Sequence, residues 1–114
     1  MLSNWIARTA PRNDEMEAKL CAAIRDRLVV SLLYDDDLFS RLFAPYGVYL
    51  AAKKRVLVVG TQIEAPATSL ELFEPLYREV GKIAVLTITR YPFVADKRFD
   101  VSDHRYINGF ICRV

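Results

Sequence analysis

The residues of this chain whose types suit acid–base or nucleophilic chemistry lie together near its C-terminus. The single histidine, His104, directly follows Asp103 and lies two residues after Ser102. Catalysis requires such groups to converge on one substrate, and sequence neighbours on a turn-like stretch rarely do so. We therefore predict a solvated loop here and no enzyme, and we keep a hydrolase that uses His104 and Asp103 as the last alternative.

Two further sets of residues have the right types for metal or redox chemistry. Asp35, Asp36 and Asp37 are consecutive, but the Gly and the later Glu of a calcium loop are missing, so we predict a turn that ends a strand. Cys21 and Cys112 lie far apart, without the paired spacing of a zinc site. Their apolar neighbours favour two small core residues in a reducing cytoplasm over a disulfide. No metal and no cofactor is expected.

Composition sets the class of protein. The chain has 114 residues, of which 53% are hydrophobic and 26% charged, and this size fits a single domain, residues 1–114. Sixteen basic against 14 acidic residues give a formal net charge of +2, too even for binding dominated by polyphosphate. No apolar run approaches the ~18–20 residues of a membrane span, and the opening residues lack the apolar stretch of a signal peptide. We predict a cytoplasmic protein without membrane association.

The first predicted element is one amphipathic helix. Residues 1–12 are expected to form a tail, and residues 14–28 the helix, because apolar residues recur every four positions from Met16 onwards. Asp14 with Glu17 three residues later has the spacing of a capping box and predicts the helix start.

After residue 28 the hydrophobic period changes to two, which indicates strands. Val30, Leu32 and Tyr34 then share one face of the first strand. The β segments are predicted at residues 29–34, 41–51, 55–62 and 82–89. For residues 68–73 a short strand and a helical turn both remain open.

Local signals refine these strands. Pro45 and Gly47 interrupt the second β segment and predict a bulge or sharp bend. The apolar run of residues 56–59 predicts a strand that is covered on both faces. Asn108 and Gly109 predict a hairpin, because both residue types tolerate positive φ.

One helix followed by five or six short strands predicts a mainly β fold with one N-terminal α-helix. This order disfavours a parallel sheet, which needs helices between its strands. It favours a small antiparallel barrel, formed by residues 29–114 including a C-terminal extension. Gly47 and Gly60 would allow the strands to turn corners.

Residues 28–93 resemble the WYL domain, an Sm-like (SH3-type) β-barrel found mostly in bacterial transcriptional regulators. The family's Arg-x-x-x-Pro element matches Arg41 to Pro45, and its late basic-Ile pair with a downstream Phe matches Lys82, Ile83 and Phe93. The other matching positions are a strand that ends in Tyr34, the pair Tyr49-Leu50, and the stretch Leu57-Val58-Val59-Gly60.

The resemblance implies a regulatory module that binds a nucleotide or single-stranded nucleic acid in a basic groove. Arg41 would hold a phosphate or carboxylate in bidentate fashion, and Lys82 would act as a point charge. Lys53, Lys54 and Arg55 would add attraction from a hairpin tip. The tyrosines that would stack on a base are Tyr34, Tyr46 and Tyr49.

A second hypothesis is a protein-interaction or self-assembling module without a small ligand. Its support is apolar material outside the predicted core: Trp5, Ile6, Phe110, Ile111 and Val114. A chain of this size buries only ~60–70% of its surface on folding, which favours association. A homo-oligomer is the partner that this hypothesis implies.

Overall fold

The computed structural model describes residues 11–63 and 73–114. Within them the chain forms one α-helix and six strands, which confirms the mainly β class with one N-terminal helix. The elements are α1 (Asp14–Asp26), β1 (Leu28–Tyr34), β2 (Arg41–Leu50), β3 (Val56–Ile63), β4 (Leu76–Glu79), β5 (Ile83–Pro92) and β6 (Phe110–Arg113). Trp5 and Ile6, which support the self-assembly hypothesis, and most of the open segment 68–73 lie outside the described residues.

Helix α1 begins at Asp14, as predicted, but its N-cap lies one residue earlier than expected. The side chain of Asn13, not of Asp14, accepts a hydrogen bond from the Met16 amide at 3.1 Å. The helix ends at Asp26 because Arg27 adopts the left-handed conformation, with φ of 56°, which terminates helices. Leu28, expected in the helix, is the first residue of β1.

All six strands belong to one antiparallel sheet. The order along it is β4-β3-β2-β1-β5, and β6 pairs with β2. Strand β2 is central: β3 follows it along one edge, while β1 pairs with its first half and β6 with its second half on the other edge. A register shift lies between Pro45 and Gly47, which confirms the predicted bulge.

The sheet is not closed into a barrel, which corrects the expected closure. Among the described residues the two end strands, β4 and β5, do not pair with each other. They are joined by a short 3-10 turn, Val80–Lys82. Hydrophobic alternation predicts which residues face inward, but it does not determine whether the last strand reaches the first.

The sheet has an apolar cluster on each face. On the helix side, Leu20 and Ile24 of α1 pack with Val30 and Leu32 of β1. The second cluster is mainly aromatic and is covered by the chain between β5 and β6: its residues include Tyr46, Tyr49, Phe93, Phe99, Tyr106 and Phe110. Strand β3 contributes to both clusters, with Val56 and Val58 on one side and Leu57 and Val59 on the other. The prediction that residues 56–59 are covered on both faces is therefore confirmed.

The two cysteines are joined in a disulfide, so the expectation of two free thiols is wrong. Cys21 of α1 bonds to Cys112 of β6. Both residues have apolar neighbours, as expected, but the helix packs over the sheet beside β6 and brings the sulfurs together. The residues are 91 positions apart, and nothing in their sequence spacing indicates this proximity.

The predicted Asn108-Gly109 hairpin is also wrong. Gly109 has a positive φ of 100°, as expected. However, the residues before it form a 3-10 turn, His104–Tyr106, and β6 pairs with β2 instead of with the chain that precedes it. Asn108 and Gly109 belong to a turn that leads into β6, which pairs with the central strand β2.

No helix within the described part of the chain is both long and apolar enough to cross a membrane.

Candidate functional site

The candidate site lies where β1 ends and where β4 meets the following turn. Tyr34, the last residue of β1, is 9% exposed, and its hydroxyl donates a hydrogen bond to the Glu79 carbonyl oxygen at 3.0 Å. Its own amide donates to the Asp37 carboxylate at 3.2 Å. Burial raises the pKa of the Tyr34 hydroxyl above its ordinary value, so the phenol stays protonated and remains a donor. Tyr34 therefore holds β1, the following turn and β4 together.

Arg78 of β4 lies over the ring of Tyr34. Its guanidinium carbon is 5.2 Å from the ring centroid, which is cation–π geometry. Among the described residues no carboxylate lies within ion-pair distance of Arg78. Because a guanidinium carries five N–H donors and stacking uses none of them, Arg78 retains hydrogen-bonding capacity for a ligand.

Two openings flank Tyr34 and Arg78. The larger is an open cleft of about 430 Å³, lined by Tyr34, Asp35, Asp36, Tyr77, Arg78, Glu79 and Lys82. The smaller is a narrow pocket of about 20 Å³, lined by Leu32, Tyr34, Asp37, Arg41, Leu42, Phe43, Gln62, Leu76 and Arg78. We call the larger opening the Tyr34 cleft.

Arg41 and Lys82, the two predicted anion contacts, lie on opposite sides of Tyr34 and Arg78. Arg41 lines the narrow pocket, where its Nε is 3.9 Å from the Asp37 carboxylate. Lys82 lines the Tyr34 cleft, with its Nζ 4.0 Å from Glu79. Both side chains are about half exposed, so these ion pairs are weak and a ligand can compete for the cations. The structure thus places both residues near Tyr34 but in different openings.

The other predicted site residues are farther from the cleft. Tyr49 is 3% exposed and packs edge-on against Tyr106 in the aromatic cluster, with ring centroids 4.8 Å apart. Burial raises its pKa, and it lines neither opening. Tyr46 belongs to the same cluster, where its hydroxyl accepts a hydrogen bond from the Asp96 amide.

The basic cluster of residues 53–55 lies at the turn between β2 and β3. Lys53 and Lys54 are exposed on a 3-10 turn and line neither opening. Arg55 is the exception in this cluster, since its Nε lies 3.5 Å from the Glu79 carboxylate that also faces Lys82. It supports the cleft through Glu79 without lining it.

The stretch around His104 does not form a catalytic arrangement among the described residues. Asp103 caps the 3-10 turn by accepting from the Arg105 amide and guanidinium, and the amide bond is the larger cause of its lowered pKa. Ser102 donates instead to Asp100 at 2.6 Å. The acid and the hydroxyl therefore engage other partners instead of the imidazole, and no cluster of three or more metal-ligating side chains occurs in the parts of the chain that the structure describes.

The charges around the Tyr34 cleft are mixed. Arg78 and Lys82 contribute positive charge, whereas Asp35 and Asp36 of the turn after β1 contribute negative charge, as does Glu79, which pairs with Arg55 and Lys82. Such a site suits a ligand with an anionic end and a hydrogen-bond-donating end, because each end meets complementary charge. The continuous basic groove that the sequence predicted is not formed by these lining residues.

Sequence reasoning missed Arg78 and the three aspartates as site residues. At the aspartates a calcium loop is rejected in favour of a turn that ends a strand, and no local pattern singles out Arg78. Arg78 comes beside Tyr34 because β4 leads through the short turn Val80–Lys82 into β5, whose first residue, Ile83, pairs with Tyr34. That pairing is not encoded locally.

No protein-family model, no curated protein and no solved structure shows a significant match to this chain.

Proposed function

We propose that the chain is a non-enzymatic, WYL-like regulatory module that binds a nucleotide-sized anion in the Tyr34 cleft. The observation that carries this proposal is the Arg78 guanidinium, which lies over the Tyr34 ring and has no carboxylate partner among the described residues. A guanidinium in a cation–π contact keeps its N–H donors, and two of them can bind a phosphate or carboxylate.

The size of the cleft supports a small ligand. Ligand pockets commonly measure ~300–1,000 Å³, and the Tyr34 cleft has about 430 Å³. This volume is enough for one nucleotide but not for a long strand. Since Lys53 and Lys54 lie outside the cleft, a mononucleotide is a better occupant than single-stranded nucleic acid.

The distribution of charge supports the same ligand class. Arg78 and Lys82 would bind the phosphate, and Asp35 and Asp36 would accept hydrogen bonds from ribose hydroxyls or from an exocyclic amine. Arg41 would add long-range attraction from the neighbouring pocket.

The architecture is compatible with the Sm-like kinship on which the regulatory role rests. Within residues 11–63 and 73–114, one helix precedes a single antiparallel sheet in which β1 and β2 are neighbours. The cytoplasmic location remains a prediction. The Cys21–Cys112 disulfide argues against this location, because cytosolic thiols are usually kept reduced.

Isothermal titration calorimetry at low salt tests the proposal. The four ribonucleoside monophosphates and a ten-nucleotide single-stranded DNA are titrated into the wild-type protein, Arg78→Gln and Arg78→Lys. Charge-assisted hydrogen bonds contribute ~1.5–3 kcal/mol, so Arg78→Gln should weaken mononucleotide binding at least about tenfold, and Arg78→Lys should weaken it less.

Arg25→Gln is the matched control, because Arg25 is an exposed helix arginine outside the cleft that pairs with its neighbour Asp26. It should bind like the wild type. Absence of saturable binding, or equal affinity of the wild type and Arg78→Gln, would contradict the proposal. Tighter binding of the oligonucleotide than of any mononucleotide would favour the basic-groove alternative.

A self-assembling module is the second candidate function. The observation that favours it is the long, exposed outer edge of β5, which no described strand pairs.

A further inference from the structure

Strand β5 leaves one edge of the sheet unpaired. It runs from Ile83 to Pro92 and pairs with β1 on one side only, among the residues described. An unpaired edge presents a row of backbone N–H and C=O groups to solvent and acts as a template for another strand. Apolar side chains are exposed along it: Val85 is 51% and Ile88 is 38% exposed.

The features that normally protect an edge strand occur only at the two ends of β5. The β1–β5 register shifts near Ile83 and again beyond Ile88, and Pro92 ends the strand. Between these irregularities residues 85–88 pair with residues 33–30 of β1 in unbroken register. This central segment contains no charge, proline or bulge, so its outer edge is open to pairing.

We propose that β5 pairs antiparallel with β5 of a second copy of this chain, so that two sheets join across a two-fold axis at Thr87. In a symmetric antiparallel pair of this kind, residues directly opposite each other share a face of the sheet. Thr87 then meets its own copy, and Leu86 meets Ile88 of the partner. Leu86 and Ile88 lie on the core face, because their partners in β1 are the core residues Leu32 and Val30.

This register is self-complementary in apolar contact and places no like charges opposite each other. The two Leu86–Ile88 pairs extend the apolar core across the interface, and Arg90 falls opposite the small Ala84. A shift of the axis to Leu86 would place Lys82 opposite Arg90, which is unfavourable because like charges directly opposite destabilise a strand pair. A shift to Ile88 would place Arg90 opposite Leu86 on the core face. The axis at Thr87 avoids both conflicts.

The interface is short, so the dimer is reversible. The proposed pairing spans residues 84–90, and interfaces below ~1,200 Å² belong to the weak, transient class. Even among larger interfaces, of ~1,600 Å², the weakest complexes have only micromolar affinity. Dimer formation is therefore expected in the micromolar to millimolar range of protein concentration, where it is measured by sedimentation equilibrium.

Charge reversal at Thr87 tests the register. Thr87 is exposed, so Thr87→Lys and Thr87→Asp should fold like the wild type, which circular dichroism checks. Each variant places like charges opposite each other in the proposed dimer and should raise the dissociation constant at least about tenfold. An equimolar mixture of the two variants should restore dimers, because Lys then meets Asp. Ile107→Lys, at a position that is 71% exposed outside β5, is the matched control and should dimerise like the wild type.

The outcomes separate cleanly. Weakened self-association of each Thr87 variant, with recovery in the mixture and none of this effect in Ile107→Lys, supports the proposal. A protein that stays monomeric at every concentration overturns the proposal, even if another segment or another protein pairs with the β5 edge. Dimers that are unaffected by Thr87→Lys, or variants that fail to recover on mixing, also overturn it.

Discussion

Removal of the Cys21–Cys112 disulfide should destabilise this protein more than most single changes in its core. The bond joins helix α1 to β6 across 91 residues of chain. In the chain-entropy treatment, closing a loop of this length restricts the unfolded state by about 4.6 kcal/mol at 25 °C. Since native domains of this size are stable by only ~5–15 kcal/mol, reduction should remove a third or more of the free energy of unfolding.

Urea unfolding, followed by circular dichroism, measures this loss. The oxidised wild type is compared with the double variant Cys21→Ala/Cys112→Ala and with the wild type in reductant. With a denaturant dependence of ~1–3 kcal/mol per molar urea, a loss of about 4.6 kcal/mol shifts the midpoint downward by about 1.5–4.6 M. The reduced wild type and the double variant should agree, because alanine replaces a small, partly buried side chain.

The reasoning would be refuted by coincident unfolding curves of the oxidised wild type and the double variant. It would also be refuted if the reduced wild type stayed at the oxidised midpoint while only the double variant fell. The loss would then come from packing around the removed sulfurs and not from the cross-link.

Three further predictions concern the backbone and one ion pair. Gly60→Ala should destabilise the fold by about 2–4 kcal/mol in urea unfolding, because a Cβ there would overlap the carbonyl oxygen of Ala44. An unchanged urea midpoint would show that the backbone at the bulge can shift without loss of stability. Lys53→Gly should stabilise the fold by up to about 1 kcal/mol, because φ of 61° strains a residue with a Cβ. Lys53→Ala keeps the Cβ and should not stabilise the fold. Equal urea midpoints for the two variants would exclude this cause. Hydrogen bonds from the Arg98 side chain and amide lower the pKa of Asp96 to about 2, so this carboxylate stabilises the fold fully above its ordinary pKa of 3.8 and loses that effect as the pH falls toward 2. Arg98→Gln should raise the Asp96 pKa toward the ordinary value in a carboxyl NMR titration, and an unchanged pKa would contradict the assignment.

Local patterns were sufficient to predict α1, β1, β2, β3 and β5, but not β4. The four-residue period identified α1, and the hydrophobic pattern identified these four strands, because both report which side chains are buried together. The bulge was predictable because Pro45 removes a backbone donor at that position. The burial of residues 56–59 on both faces of the sheet was predictable, because a strand with one solvated face would alternate apolar and polar residues.

Long-range pairing was not predictable in the same way. Whether β5 closes on β4, where β6 pairs, and whether Cys21 meets Cys112 all depend on how the chain between β5 and β6 covers the second face. That chain packs through Phe93, Phe99 and Tyr106 against the aromatic cluster, and such contacts leave no periodic signal in the sequence.

The candidate site likewise divides into residues that local patterns predict and residues that depend on long-range contacts. Tyr34 was predicted at the end of a strand from alternation, whereas Arg41 and Lys82 were predicted as anion contacts only through the family resemblance. Arg78 was missed because its role depends on stacking across two strands that are far apart in the chain. Tyr49 was expected to stack on a ligand, whereas its burial among other rings gives it a packing role that sequence alone does not distinguish.

The occupancy of the Tyr34 cleft is tested most directly by amide chemical-shift mapping of the isotope-labelled protein during titration with adenosine monophosphate. The proposed function predicts saturable shifts centred on Tyr34, Asp36, Arg78 and Lys82, with the amides of the Lys53–Lys54 turn unchanged. Shifts centred on that turn, or no saturable shift at any of these amides, would contradict it.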